Sequence, residues 1–221
     1  MKSWMVQVPK TIVSRDLQES SERALNSGDI DVIPAGVPRW IFLEWLARQG
    51  WLLHGSNHRG LEVLVPSVPV DRSPDDFSKQ TGVFASSDAA WAVMYAVVDR
   101  PRSVKRMLNT AVQIQGASGW NEINHFLSLA PRDPTVSNPD ELLRPGAVYV
   151  TSREGFSQMQ PYFWPGLGTV QEPHWVAKKQ VEVRLAVPVF PEDLPIPVRI
   201  HNADEVEAAS ARDPWGFPWF D

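Results

Sequence analysis

Apolar residues are sparse over the first 36 positions of the chain. Ser14 precedes a polar run, residues 15–26, rich in helix formers and closed by Ser27-Gly28; this predicts a thinly amphipathic helix with a serine N-cap, in an N-terminal helical appendage spanning 1–36. From Pro38 the pattern strengthens. Ile41/Trp45 and Phe42/Leu46 recur at i,i+4 until Gly50 interrupts them, so residues 38–49 read as a core-facing helix with proline in its first turn. Trp51-Leu52-Leu53-His54-Gly55-Ser56 is an apolar run that stops at polar turn residues, as a strand does. Residues 61–65 and 81–85 read as two more short strands, separated by a loop over 66–80 rich in Pro, Ser and Asp.

Ser86-Ser87-Asp88 then offers capping side chains to a helix that places Trp91, Met94, Tyr95 and Val98 at i, i+3, i+4 and i+7 and closes at Pro101. Beyond it the pattern predicts strands at 110–115 and 146–151, a short helix at 121–129, and a Pro-rich loop at 132–144. Residues 180–189 alternate, with Val181, Val183, Leu185 and Val187 inward, and 198–201 add an edge strand. Many short strands and few helices, without strict βαβ alternation, specify an α+β class. One domain over 37–205 is expected, followed by a tail at 206–221 whose end is rich in Trp and Pro.

Composition narrows the chemistry. The 221 residues carry a formal charge of −5, no Cys, 5 His, 20 Pro, and 10 Trp against 3 Tyr. Without Cys there is no disulfide framework, thiolate nucleophile, Cys-based zinc site or iron–sulfur cluster, and the scattered His lack the spacing of a metal motif. The mild acidity argues against a broad nucleic-acid surface. No apolar run reaches the about 18 residues of a membrane span, and residues 1–10 lack the apolar stretch of a signal peptide, so a cytoplasmic protein is expected, with no membrane partner and no metal.

Phosphate-loop, dinucleotide-fold and nucleophile-elbow motifs are absent. His54-Gly55-Ser56 is different: a strand ending in this tripeptide sets an imidazole, an unobstructed main chain and the Ser56 hydroxyl at one point, and a flat carboxamide can approach the glycine. Arg59, in the turn that follows, is a candidate for pyrophosphate, since guanidinium bonds phosphate oxygens bidentately. The run Tyr162-Phe163-Trp164 between Pro161 and Pro165 either folds onto the core or offers an exposed stacking surface.

The order His54-Gly55-Ser56, loop, Gly82-Val83-Phe84-Ala85-Ser86, then a helix bearing Tyr95 resembles the ADP-ribosyltransferase superfamily, in its poly(ADP-ribose)-polymerase-like or diphtheria-toxin-like branch. The RNA 2′-phosphotransferases share that fold. Residues 146–156 and the strand at 180–189, reached through His174-Trp175-Val176, are similar to the later strands of small bacterial and phage relatives, so the likeness spans about residues 50–190. It implies a split β-sandwich of two small antiparallel sheets with flanking helices. It also implies NAD as substrate and an ADP-ribose acceptor that is a protein or a nucleic acid. His54 would bond the adenosine-side ribose, Gly55 the nicotinamide carboxamide, and Tyr95 would stack on the nicotinamide ring. Phe84 and Ser86 or Ser87 would complete the pocket. The helical spacing of Tyr95 equally suits a core position.

Members that transfer ADP-ribose carry a Glu at the start of a late strand, where it stabilises an oxocarbenium-like transition state. In Val170-Gln171-Glu172-Pro173-His174-Trp175-Val176, His174 holds that position and Glu172 lies two residues earlier. Val83 also stands where the polymerase-like branch often has Tyr. Either Glu172 supplies the carboxylate from a shifted position, or His174 replaces it. In the second case an RNA 2′-phosphotransferase-like enzyme, or an inactive nucleotide- or protein-binding module, gains ground.

Overall fold

The computed structural model describes residues 2–69 and 75–219; the expected loop over 66–80 and the expected tail each lie partly outside these. In chain order the elements are α1 (Arg15–Ser27), α2 (Arg39–Arg48), β1 (Leu52–Ser56), β2 (Val63–Leu64), β3 (Val83–Ser86) and α3 (Ala89–Val97). Then follow β4 (Val104–Gly116), β5 (Gly119–Trp120), β6 (Asn124–Pro131), β7 (Gly146–Thr151), β8 (Phe156–Gln158), β9 (Tyr162–Trp164) and β10 (Gly168–Gln171). The chain closes with β11 (His174–Ala177), β12 (Val181–Glu182), β13 (Leu185–Val189), β14 (Arg199–Ile200) and α4 (Ala203–Arg212).

Two sheets dominate this α+β fold. The first runs β13-β7-β1-β3-β11-β8 and the second β14-β6-β4-β10-β9, with β5 paired to β4 and β2–β12 forming a separate ribbon. Every pairing is antiparallel except β14 with β6.

Helix α3 lies between the sheets and is buried along almost its whole length. Ala92, Val93, Ala96 and Val97 pack with β1, β7, β13 and α2, while Trp91, Met94 and Val98 pack with β4 and β6. Its alanine face lets backbone approach backbone. An ideal Cβ on Gly55 would sit 1.9 Å from the Ala92 carbonyl oxygen, and one on Gly146 would sit 2.0 Å from that of Ala96. Glycine on two adjacent strands is therefore what seats α3 this close.

The caps of α1 form as expected: Ser14 Oγ accepts the Leu17 N–H, and Gly28, at φ 77°, closes the helix. Leu17 and Ala24 bury in the same core as α2, and Trp4 and Met5 enter an aromatic cluster with Phe126 and Trp164, so the first 36 residues are continuous with the body of the protein.

Several expected elements differ. Residues 121–129 are not a helix. Most of the segment is β6, sandwiched between β14 and β4 and buried on both faces from Asn124 to Ala130, so no period-two signal survives in the sequence. The ladder expected at 180–189 is broken: β12 joins β2 in the ribbon, and β13 pairs with β7. The strand expected at 110–115 runs the full length of β4. Strands β8 to β10 arise where the sequence offers no strand pattern beyond the aromatic run 162–164, while β11 begins at His174, where the resemblance implies a late strand. The tail at 206–221 is helical up to Arg212 as part of α4, which Asn202 caps by accepting the Asp204 and Glu205 N–H groups. Beyond it Trp215, Phe217 and Trp219 pack against the aromatic cluster.

Candidate functional site

A cleft of about 750 Å3 opens between the sheets, and His54, Phe84, Ser86, Tyr95, Glu172 and His174 all line it, together with the main chain at Gly55. Its origin is a local failure of strand pairing. β1 is paired with β7 from Leu52 to Ser56 but with β3 only at Leu53↔Ser86. Past that point the two strands part, and the His54 side chain spans the gap by donating from Nδ1 to the Phe84 carbonyl at 2.7 Å. This bond fixes the proton on Nδ1 and leaves Nε2 as an acceptor. Burial, and to a lesser degree the Arg100 charge, lower the His54 pKa against the pull of the Phe84 carbonyl, so the ring is neutral.

The opposite end of the site is the crossover from β10, in the second sheet, to β11, in the first. Glu172 lies on this crossover and His174 begins β11. The crossover is anchored at two points: the Ser87 N–H donates to the Pro173 carbonyl at 3.0 Å, and the Met159 N–H to the His174 carbonyl at 2.9 Å. Glu172 Oε1 accepts the Tyr162 hydroxyl at 2.9 Å, and Glu172 Oε2 lies 4.0 Å from His174 Nδ1. Burial and the neighbouring Glu172 carboxylate push the Tyr162 phenol up, so it remains a donor.

The His174 imidazole sits among the rings of Phe77, Phe84 and Trp91, with centroids 5.2, 5.0 and 5.0 Å away. Burial depresses its pKa to about 4 although the Asp75 charge pulls upward, so it too is neutral near pH 7. Its Nδ1 is buried without a hydrogen-bond partner.

Tyr95 is half-buried: it packs against the core and also lines the cleft. Its ring contacts Trp91 and its hydroxyl donates to Asn109 Oδ1 at 3.2 Å, while Arg100 covers one ring face at 4.9 Å. The same Asn109 oxygen accepts the Trp91 indole N–H at 2.7 Å. Ser86 Oγ accepts the Asp88 N–H, and Ser87 Oγ accepts the Trp175 indole N–H.

Three expected positions stand differently. Gly55 does face the cleft with its main chain, and α3 fills the space its missing side chain leaves, so packing alone already requires glycine here. Ser56 is buried and accepts the His58 N–H; it does not line the cleft. Arg59 projects from the exposed turn after β1, also outside the cleft. Among the described residues, the arginines that do line it are Arg100, Arg106 and Arg132. Of the aromatic run, Trp164 is buried and Tyr162 reaches Glu172, whereas Phe163 is exposed.

Asn109 and Phe77 carry no signal in the sequence, since only the tertiary fold brings them to the site. Tyr162 carries one as part of the aromatic run just ahead of the crossover, although its bond to Glu172 has no sequence signature. Among the described residues no group of three or more His, Asp or Glu is arranged to hold a metal ion, and no helix is long and apolar enough to cross a membrane. No family model matches the chain, and no curated protein or solved structure matches it significantly.

Proposed function

We propose that this protein binds NAD in the cleft and transfers its ADP-ribose to a protein or nucleic-acid acceptor, releasing nicotinamide. The observation that carries this reading is convergence. Residues from β1, β3, α3 and the β10–β11 crossover, separated by up to 120 positions and singled out as one set, line a single cleft whose size suits a ligand of this class. His54 Nε2 accepts a ribose hydroxyl, and the β1 main chain at Gly55, beyond its last contact with β3, takes the carboxamide. Tyr95 offers a ring face to the nicotinamide, and Arg100 and Arg132 supply guanidinium to the pyrophosphate.

Cleavage of the nicotinamide bond leaves positive charge on the ribose. A fixed, poorly solvated carboxylate stabilises that charge more than water does. Glu172, half-buried and held by Tyr162, is placed to do so.

Isothermal titration with NAD, paired with chromatographic measurement of released nicotinamide, tests the reading. Saturable binding is expected. Glu172→Gln should slow release by about 10²–10³-fold with little change in affinity, the scale seen when one transition-state stabiliser is removed. His54→Ala should instead weaken binding by roughly tenfold, the cost of about one hydrogen bond. No binding at millimolar NAD and no nicotinamide release would sink the proposal. Binding without release would support the inactive module.

The three arginines in the cleft favour a second reading, RNA 2′-phosphotransfer, although Arg59 takes no part in it. NAD-dependent loss of phosphate from a 2′-phosphorylated oligoribonucleotide distinguishes the two.

A further inference from the structure

We infer that Glu172 and His174 act as a carboxylate–imidazole dyad in which His174 is the general base that deprotonates the ADP-ribose acceptor; this rests on the NAD reading above. Three observations carry it. First, the buried and unpartnered Nδ1 of His174 faces the Glu172 Oε2 at 4.0 Å, about an ångström longer than a hydrogen bond. Catalytic hydrogen bonds are commonly long before substrate binds and tighten in the complex.

Second, a carboxylate on the Nδ1 side selects the tautomer with its proton there, and so turns the lone pair of Nε2 outward. Nδ1 is enclosed, no hydrogen bond to Nε2 is formed among the described residues, and the ring lines the cleft. The base therefore points where an acceptor must lie. Third, Glu172 is itself held from behind by the Tyr162 hydroxyl at 2.9 Å, so the dyad has a positioning residue of its own. The three groups stand in series: phenol, carboxylate, imidazole.

The step balances. The acceptor oxygen or nitrogen attacks the anomeric carbon of the nicotinamide-side ribose, and the bond to nicotinamide breaks. Its electron pair leaves with neutral nicotinamide, and the acceptor proton passes to His174 Nε2. The Glu172 carboxylate then faces both the imidazolium and the developing ribose cation. This assigns an acceptor class. The acceptor is a group that loses a proton on attack, a hydroxyl or an amide or ring N–H, because a carboxylate acceptor needs no base.

Among the described residues, the charged and titratable groups about the ring are Asp75 from the loop before β3, Glu172 from the crossover and Tyr162 from β9; Phe77, Phe84 and Trp91 supply only apolar surface.

Water serves as the probe acceptor, with nicotinamide release from NAD followed against pH. Release by the native protein should fall on the acid side as His174 takes a proton, at about pH 4. His174→Asn should lower release by about 10²–10⁴-fold, the usual yield of general-base catalysis, with the NAD dissociation constant unchanged and the His174 contribution to the acid limb gone. Tyr162→Phe should slow release less and leave the limb in place.

An independent arm needs neither turnover nor a variant: nitrogen-15 spectra of histidine-labelled native protein should show His174 protonated at Nδ1. Native turnover with a His174→Asn variant that keeps both rate and acid limb overturns the dyad and leaves the NAD reading standing. The opposite tautomer overturns it as well. A native protein that neither binds NAD nor releases nicotinamide overturns both.

Discussion

Gly55→Ala is expected to cost about 3 kcal/mol or more of stability, at or beyond the upper end of what overpacking normally costs. A Cβ there meets the Ala92 carbonyl oxygen at 1.9 Å and the Ala96 nitrogen at 2.9 Å, both main-chain atoms of α3 that no rotamer change can move. Relief requires α3 to lift away from β1, and the second glycine resists this, since Gly146 holds the same helix against β7 through Ala96.

At 2–4 °C per kcal/mol for a chain of this size, the midpoint of thermal unfolding should fall by roughly 6–12 °C or more. Gly116→Ala is the control. Its added Cβ meets nothing closer than 3.6 Å, and a negligible shift is expected. Equal midpoints for the two variants would mean that α3 does not pack as described. Because Trp91 and Tyr95 ride on α3, the proposed NAD binding should also weaken in a Gly55→Ala protein that still folds, although Gly55 loses no main-chain group.

What could be read from the sequence follows from range. Local signals were sound: Ser14 and Gly28 bracket α1, Asp88 caps α3, and the i,i+4 pairs of α2 point inward. Of the positions that the resemblance singles out, His54, Phe84, Ser86, Tyr95, Glu172 and His174 all line the cleft, from β1, β3, α3 and the β10–β11 crossover. Legibility failed where a signal depends on both neighbours. The central strand β6 is buried on both faces, so Phe126, Leu127 and Leu129 mimic one face of a helix. β9 and β10 are only three and four residues long and take their identity from partners in the second sheet. The packing demand on Gly55 has no local signal for the same reason, since the helix that imposes it begins more than thirty residues later.

The division of the site between the two sheets also has a physical basis. His54 and Phe84 sit on strands that have lost their mutual pairing, so a hydrogen bond through a side chain replaces the ladder and leaves room for a ligand. Glu172 sits on the only passage from β10 to β11, where the chain changes sheets. Neither position is free to drift. The crossover is tied to Ser87 and Met159, and β1 is tied along its length to β7. Preorganisation of this kind is what an electrostatic role for Glu172 requires, because a carboxylate that had to reorganise would lose its advantage over water.

Asp88→Ala should be the most damaging change that adds no bulk. The Asp88 carboxylate, buried at the start of α3, accepts the Trp91 N–H at 2.7 Å and faces His125 Nε2 at 2.9 Å. Truncation removes an N-cap and leaves His125, wholly buried and already without a partner at Nδ1, with neither ring nitrogen bonded. Breaking a buried pair from one side costs about 3–5 kcal/mol, offset in part because Glu44, whose carboxyl burial and the Asp88 charge hold above its ordinary value, is relieved.

The loss should depend on pH in a defined sense. Burial opposes a charge on His125, but the Asp88 charge and hydrogen bond, helped by Glu44, outweigh it and raise the folded pKa above 6.5. The stabilisation is then fully present below the unfolded value of about 6.5 and fades as pH rises through the raised folded value. Without Asp88 only burial and weaker partners act, and protonation favours unfolding instead. Urea denaturation of native and variant protein at about pH 6 and pH 9 should therefore show the larger gap at the lower pH. A gap that is the same at both, or larger at pH 9, would mean that His125 is neutral in the fold and that Asp88 serves only as a cap.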